Sequence, residues 1–331
     1  MNKKIYKGKK ILITGGTGFI GSNLAYKLIP LGSEITLLSH SPHNLKFIED
    51  IVLFAQKRKV KLEIIVGDLR DHELMNNLVK DKDIIFNLAA KVSHLDKGVV
   101  SFEDLDINCR GQLTLLEACR LHNPKVKIVF SSTRMVYGDD VRNPLKETHH
   151  TNPTTLYGTH KLTAEKYHLA YYTRYNIPTT ILRIGNPYGD RQHLSKGLYS
   201  LPGWFMNRAI NGETIEILSD GKQGRDYIYI DDLVEIMLRV AVSEQTNGKI
   251  YNTGSGVRST FGDMVAAIGK TVKTGKFVYV QKPEKSVATK DSYHFDISKL
   301  SKDIKWKPKT GLIRGIKRMY TFAKKYPYIP N

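Results

Sequence analysis

Residues 14–21 read T-G-G-T-G-F-I-G and follow the apolar run Ile11–Ile13. The glycines Gly15, Gly18 and Gly21 recur every third residue at what reads as a strand-to-helix turn. The segment Ser22–Pro30 continues as a helix with Leu24 and Leu28 on one face. A dinucleotide pyrophosphate needs backbone N–H groups close by and the positive end of a helix dipole behind them. Side chains at the crossing would block that approach, which is a reason for glycine. A glycine triplet alone is a weak signal. Its place near the start of the chain, between a strand and a helix, is where a dinucleotide-binding α/β fold needs it.

Strand and helix signals alternate outward from this turn. Candidate strands are Lys10–Thr14, Glu34–Leu38, Leu62–Val66, Asp83–Asn87, Lys127–Ser131 and Thr179–Arg183. Helical patterns fall between them, as in Asp71–Val79, Asp104–Leu121 and Thr155–Tyr175. That rhythm predicts an α/β chain of the Rossmann type, a doubly wound parallel sheet. Beyond Arg183 the pattern loosens into Gly, Pro and aromatic residues over Gly185–Gly203, as in a ligand-binding lobe. Asp226–Ile230 and Ile250–Thr253 read as short strands returning to the sheet. Phe261–Lys270 and Leu312–Lys325 read as C-terminal helices, the latter with Ile313, Ile316, Met319, Tyr320 and Ala323 at helical spacing. The expected organisation is a nucleotide-binding domain over 8–184 plus about 226–254, and a smaller, mostly C-terminal α/β substrate lobe over 185–225 and 255–325.

With 331 residues and 41% apolar side chains the chain has ample material for this plan. No apolar run reaches the roughly 18 residues of a membrane helix, so no membrane partner is expected. The basic start Met1–Lys10 runs straight into the first strand, which argues against a signal peptide. Cys109 and Cys119 lie too far apart along one helix to bond, and read as reduced thiols of a cytoplasmic protein. The net charge is +19, but the lysines are spread without interleaved aromatics. They read as a solvated surface and not as a nucleic-acid interface. A positive field also favours an anionic, diphosphate-bearing substrate. His94, His149, His150 and His160 show no metal-ligand spacing, and Asp231-Asp232 reads as a cap on a helix starting at Leu233.

Tyr157-Gly-Thr-His-Lys161 sets a phenol and an ammonium on one helix face. The ammonium is expected to lower the tyrosine pKa and make it a general base. The motif follows Phe130-Ser131-Ser132-Thr133 at the end of a candidate strand, where open α/β sheets place ligands.

With these pieces in hand the chain resembles an extended short-chain dehydrogenase/reductase of the nucleotide-sugar epimerase/dehydratase family, UDP-glucose 4-epimerase-like. The matching stretches are 14–21, G-D-L (67–69), N-L-A-A (87–90), F-S-S-T-R-M-V-Y-G (130–138), Y-G-T-H-K (157–161), L-R-I-G-N-P-Y-G-D-R-Q (182–192), G-R-D-Y-I-Y-I-D-D-L (224–233) and Y-N-T-G-S-G (251–256). The resemblance implies an enzyme with Tyr157 as catalytic acid/base, Lys161 as its partner and Thr133 at the catalytic Ser/Thr position. It implies an NAD(P) site made by Gly15, Thr17, Gly18, Phe19, Ile20, Gly21, Ser39, His40, Asp68, Leu69, Leu88, Ala89, Ala90, Lys91, Asn108, Ser131, Tyr157 and Lys161. Asp68 and Leu69 would contact adenine, and Ala89 and Ala90 would line the cofactor channel. It implies a nucleotide-diphosphate sugar held by Thr133, Asn186, Arg191 and Arg225, a homodimer, and no metal. Arg225 alternatively reads as a surface ion pair with Asp226.

Two departures refine this expectation. Members that use NAD end the second strand with an acid for the ribose 2′-hydroxyl, whereas this strand ends Ser39-His40-Ser41. The balance tips toward a tightly bound NADP over NAD. The family's 4,6-dehydratases carry Asp-Glu after the catalytic Thr, and its decarboxylases a Glu in this stretch. Here Arg134-Met135 follows Thr133, which speaks against both reactions. Epimerisation, most simply at C4 through a transient 4-keto sugar, remains, with one-way keto reduction or alcohol oxidation as the alternative.

Overall fold

The computed structural model describes residues 3–42, 45, 48–91, 102–139, 142–194, 201–218, 221–280 and 292–326. Its strands are β1 Lys10–Thr14, β2 Glu34–Ser39, β3 Leu62–Val66, β4 Ile84–Asn87, β5 Lys127–Thr133 and β6 Thr179–Ile184 in the first half. They continue as β7 Asn186–Tyr188, β8 Thr214–Leu218, β9 Gly224–Tyr229, β10 Lys249–Thr253, β11 Arg258–Thr260 and β12 Lys276–Val280. A seven-stranded sheet has the order β10-β6-β5-β4-β1-β2-β3. The pairs β2/β3, β1/β2, β1/β4 and β4/β5 are parallel. This is the Rossmann-like doubly wound arrangement, and the strand order reverses between β1 and β4. Ile11, Leu12 and Ile13 of β1 are fully buried, as a central parallel strand covered on both faces demands. One of those faces is a cluster in which Leu12 and Ile85 meet Met75, Val79, Leu115 and Leu116 from the helices His72–Val79 and Gly111–His122.

The first six strands lie within two residues of their expected bounds. Four other expectations change. The helix read over 104–121 is three pieces: an α-turn Phe102–Leu105, a π-turn Asp106–Arg110 and the helix Gly111–His122. The glycine-motif helix runs Phe19–Leu28 and then tightens into a 3₁₀ turn at Ile29–Leu31, where Pro30 cannot donate to a further α-turn. The strand read at 226–230 does not return to the main sheet. It is β9, which pairs in parallel with β7 and antiparallel with β11 in a separate three-stranded sheet; only β10 returns. The stretch read as loop over 185–203 holds β7 and the start of a helix, Leu201–Ile210, whose Pro202 and Gly203 masked it; residues 195–200 lie outside the described residues.

The chain divides into two units. One comprises 1–136, 153–183 and 234–251, and the other 137–152, 184–233 and 252–331. Residues 137–152 and 226–233, read from the sequence as part of the first unit, therefore pack with the second. Asp232 shows why for the latter: its carboxylate is buried and accepts the backbone N–H groups of Lys309 and Thr310 at 3.1 and 2.8 Å. In the second unit the helix Leu312–Lys325 buries Ile316, Met319 and Ala323, while Ile313 is 57% exposed and leaves the expected apolar face. No helix among the described residues is long and apolar enough to cross a membrane.

Candidate active site

The glycine turn is built by backbone packed on backbone. Gly15 has φ +66°, which disfavours a side chain, and a Cβ there would lie 3.2 Å from the backbone of Ala89. A Cβ on Gly21 would meet Gly15 O at 2.5 Å. The helix Phe19–Leu28 opens at Gly18 with no side-chain cap. A helix N-terminus approached so closely by backbone fits a dinucleotide diphosphate. Beside it, Thr14 Oγ1 accepts the N–H groups of Leu88 and Ala89 and donates to Asn87 Oδ1, all within 3.1 Å. Ala90 and Lys91 follow directly, half-buried, and Lys91 pairs with Glu103.

At the end of β2, Ser39 is buried. Its hydroxyl lies 2.8 Å from Thr17 Oγ1 and donates to Ser41 O at 3.0 Å. It ties the glycine turn to the strand, and His40 stands exposed beside it. After β3, Asp68 is gripped by Arg70 through its backbone N–H, Nε and Nη2 at 2.8, 2.9 and 2.6 Å. That guanidinium holds the Asp68 carboxyl below the usual range. Arg70 was not singled out from the sequence; its place two residues after an acid at a strand end was the available signal. Leu69 is buried in the core cluster.

Thr133 closes β5, and its hydroxyl accepts the Met135 N–H at 3.3 Å. Ser131 donates to Asn87 O at 3.2 Å, joining β5 to β4. The helix Leu156–Tyr175 is capped by Thr155, whose side chain accepts the Gly158 N–H. Gly158 explains how this helix reaches the end of β5. A Cβ there would sit 2.7 Å from Met135 O, so only glycine lets the first turn lie against the residues after Thr133. Tyr157 and Lys161 are 7% and 1% exposed, and Lys161 Nζ lies 4.2 Å from the Phe130 ring centroid. Burial pulls Lys161 down to about 7, partly opposed by Glu165. Burial, with Asp104 adding to it, pushes Tyr157 up. The expected depression of Tyr157 by Lys161 is therefore overridden by desolvation of both groups in the chain alone.

Glu165 and Arg183 form a buried ion pair at 2.7 Å, and Ser132 donates to Glu165 at 2.5 Å. This network beneath Lys161 was missed in the sequence, where Glu165 is simply the next residue at i+4 spacing. Asn108 is buried on the π-turn, and its amide donates to Lys91 O at 2.8 Å and to Asp104.

In the second unit the structure joins Asn186 and Arg225 through Tyr293. The Tyr293 hydroxyl donates to Asn186 Oδ1, and the Arg225 guanidinium lies 5.9 Å from the Tyr293 ring and 5.5 Å from the Phe261 ring. The alternative of an Arg225–Asp226 ion pair is not realised. Asp226 is fully buried and accepts Ser255 N, Ser255 Oγ, Gly256 N and Phe295 N at 2.6–3.1 Å. Successive strand residues point to opposite faces, so Arg225 is turned away from it. Arg191 is not part of this group; its guanidinium lies 5.1 Å from the Phe322 ring on the C-terminal helix. Asp231 and Asp232 are not caps, because their helix starts at Ile230; Asp231 pairs with Arg318 instead. His149 Nδ1 accepts the Lys146 N–H at 3.0 Å in a turn, and His94 lies outside the described residues. Among the described residues no group of His, Cys, Asp and Glu could hold a metal ion, and both cysteines are buried and free.

Comparison with known proteins supplies the family. The model of the NAD dependent epimerase/dehydratase family matches residues 11–254. A UDP-glucose 4-epimerase of Mycolicibacterium smegmatis is 28% identical over 320 residues, covering 95% of this chain and 98% of its own. A dTDP-D-glucose 4,6-dehydratase of Dictyostelium discoideum is 33% identical over 267 residues, 75% of this chain and 58% of its own. The crystal structure of Thermotoga maritima UDP-glucose 4-epimerase with UDP-glucose superposes with a TM-score of 0.82 at 27% identity, covering 96% of this chain and 99% of that one.

The Gly158 contact has a measurable consequence. Gly158→Ala forces the backbone at Met135 to move, and overpacking of this kind costs about 1–3 kcal/mol. The urea midpoint should fall accordingly; an unchanged midpoint would show that the helix start is free to shift.

Proposed function

Because the chain belongs to the NAD dependent epimerase/dehydratase family and is an enzyme of the short-chain dehydrogenase type, we propose that it is a nucleotide-sugar epimerase that inverts C4 through a transient 4-keto sugar. The observation that carries this reading is the turn Arg134–Tyr137 directly after Thr133. Elimination or decarboxylation needs a carboxylate there, and Arg134 and Met135 supply none. Dehydratases are among the relatives, so the residues of this turn, and not overall similarity, separate the reactions.

Tyr157 takes the proton of the C4 hydroxyl and returns it to the opposite alcohol. Lys161 stabilises the phenolate, and Thr133 donates to the sugar oxygen. Gly15, Thr17, Gly18, Phe19, Ile20 and Gly21 would hold the cofactor diphosphate. Asp68 and Leu69 would contact adenine, and Leu88–Lys91, Asn108 and Ser131 would border the nicotinamide side. A bound nicotinamide supplies reversible hydride transfer at C4. Asn186 and Arg225 would hold the sugar-nucleotide diphosphate, with Arg191 nearby in sequence as a further cation. Arg225 suits that task because its planar fork matches phosphate oxygens. The proposed setting is carbohydrate biosynthesis in the cytoplasm, in keeping with two buried free thiols, and the proposed assembly is a homodimer.

The reaction is tested by offering UDP-, GDP-, CDP- and dTDP-sugars and following the C4 epimers by NMR. Tyr157→Phe should lower kcat about 10²–10⁴-fold with little change in KM. Wild-type turnover in that variant removes Tyr157 from the mechanism, and stoichiometric cofactor consumption replaces epimerisation by one-way redox chemistry.

Arg225→Ala should raise KM by roughly 10–150-fold, the equivalent of a lost charge-assisted hydrogen bond of about 1.5–3 kcal/mol, and lower kcat less. Equal KM values would place the diphosphate elsewhere.

The absence of a carboxylate at Ser39 supports NADP binding at least as tight as NAD. Titration of the apoprotein with each decides it: NAD ahead by more than about tenfold, or 1.4 kcal/mol, overturns this reading.

A further inference from the structure

Lys161 is 1% exposed, and an ammonium at that depth needs a partner. Among the described residues its Nζ forms no ion pair; Glu165, one helical turn on, is taken by Arg183 at 2.7 Å. What Lys161 meets is a ring: Nζ lies over Phe130, 4.2 Å from the centroid. An ammonium within about 6 Å of an aromatic face is drawn to the ring quadrupole, most strongly where water is excluded.

The ring itself is held on several sides. Phe130 is fully buried in the middle of β5, three positions before Thr133, and Ala164 and Ile181 pack against it. It stacks with the His168 imidazole, centroids 4.3 Å apart and planes 26° apart. His168 is tied in turn to β4, its Nε2 lying 3.4 Å from the Asn87 side-chain nitrogen. Burial draws His168 down to about 3, so the imidazole is neutral and sets no second cation against Lys161. The other titratable groups around Lys161 are Tyr157 and Glu165 on its own helix, Cys109 on the π-turn and Asp104 on the turn before it. Cys109 is pushed up to about 11 by burial and is a neutral thiol at neutral pH. A change confined to the Phe130 ring leaves all of these groups in place.

We propose that Phe130 is a positioning residue of the acid/base site, the face of its ring holding the Lys161 ammonium in place by cation–π attraction. This rests on Lys161 being the partner of Tyr157 in the proposed reaction. In this account Phe130 touches neither substrate nor cofactor and acts through Lys161. Burial already draws the ammonium down to about 7. The ring opposes that loss of charge, so weakening its face should lower the pH at which Lys161 gives up its proton.

The test grades the ring face while keeping its shape. Phenylalanine carrying one, two or three ring fluorines is placed at position 130 alone. Each fluorine draws electron density off the face, the source of the attraction, and adds little volume. Ionisation of Lys161 is followed in the apoprotein by heteronuclear NMR of isotopically labelled lysine, its signal assigned by its loss in Lys161→Met. The midpoint should fall with each fluorine, by about one unit over the series. Phe130→Leu keeps an apolar side chain without a ring and should fall at least as far. Far-ultraviolet circular dichroism of each variant confirms the fold, and the fluorinated rings decide the matter if Phe130→Leu does not fold. In parallel, kcat near neutral pH should decline in the same order with KM little changed. A stepwise fall supports the proposal. A midpoint that stays put or rises across the fluorinated series overturns it, even where Phe130→Leu moves it, because an apolar filler acts through its volume alone. If Lys161→Met keeps full turnover, the catalytic reading fails, yet the titration still reports on the ring, so the two failures are separable.

Discussion

A single hydroxyl, that of Thr14, holds the sheet where its strand order reverses. It uses its full capacity, accepting two backbone N–H groups from Leu88 and Ala89 and donating to the Asn87 side chain. Asn87 passes the constraint on: its amide donates to Gln112 at 2.6 Å, and its carbonyl accepts Ser131. The ends of β1, β4 and β5 and the start of the helix Gly111–His122 are thereby registered from one residue. That registration brings the Ala89 backbone so near Gly15 that a Cβ there would lie 3.2 Å from it. Without it, two half-buried amides would lose their acceptor, each at a cost bounded by that of a fully buried unsatisfied group, about 1–3 kcal/mol.

Asp226 plays the corresponding part in the second unit. Its carboxylate gathers three backbone amides and a serine hydroxyl from segments far apart in sequence. Burial raises its pKa, and the hydrogen bonds offset that only in part. With its sequence neighbour satisfied elsewhere, the Arg225 guanidinium donates to Gly224 O at 3.1 Å and rests beside the Phe261 and Tyr293 rings.

The parts of the fold legible in sequence were those with a local cause. Ile11–Leu12–Ile13 and the glycine spacing announce β1 and its turn because burial on both faces and backbone contact leave few residue choices. The helix start at Thr155 is equally local, a side-chain cap, whereas the limit that Met135 O sets on Gly158 shows only in the fold. What stayed hidden depends on partners distant in the chain. β9 looks like a returning strand until β7 and β11 are seen to take its edges. Leu201–Ile210 carries Pro202 and Gly203, which read as loop although the rest of the helix is apolar enough to pack. The site shows the same division. Tyr157 and Lys161 are visible as a spacing, whereas Glu165–Arg183 and Asp104–His160 exist only once separate elements face each other.

That difference bears on the chemistry. From spacing alone, Lys161 should lower the Tyr157 pKa. In the folded chain both are so deeply buried that desolvation wins on each, lifting the phenol and lowering the ammonium. With the phenol raised, Tyr157 keeps its proton at neutral pH and little phenolate is present to act as base. To serve as a base it must gain favourable contacts to the phenolate or positive charge nearby, and both can arrive with bound ligands. Burial thus converts a residue pair into one whose basicity depends on occupancy of the site. The groups around it then matter by sign. Glu165, paired with Arg183, favours the charged form of Lys161, whereas Asp104, which faces His160 at 3.3 Å, adds to the burial that raises Tyr157.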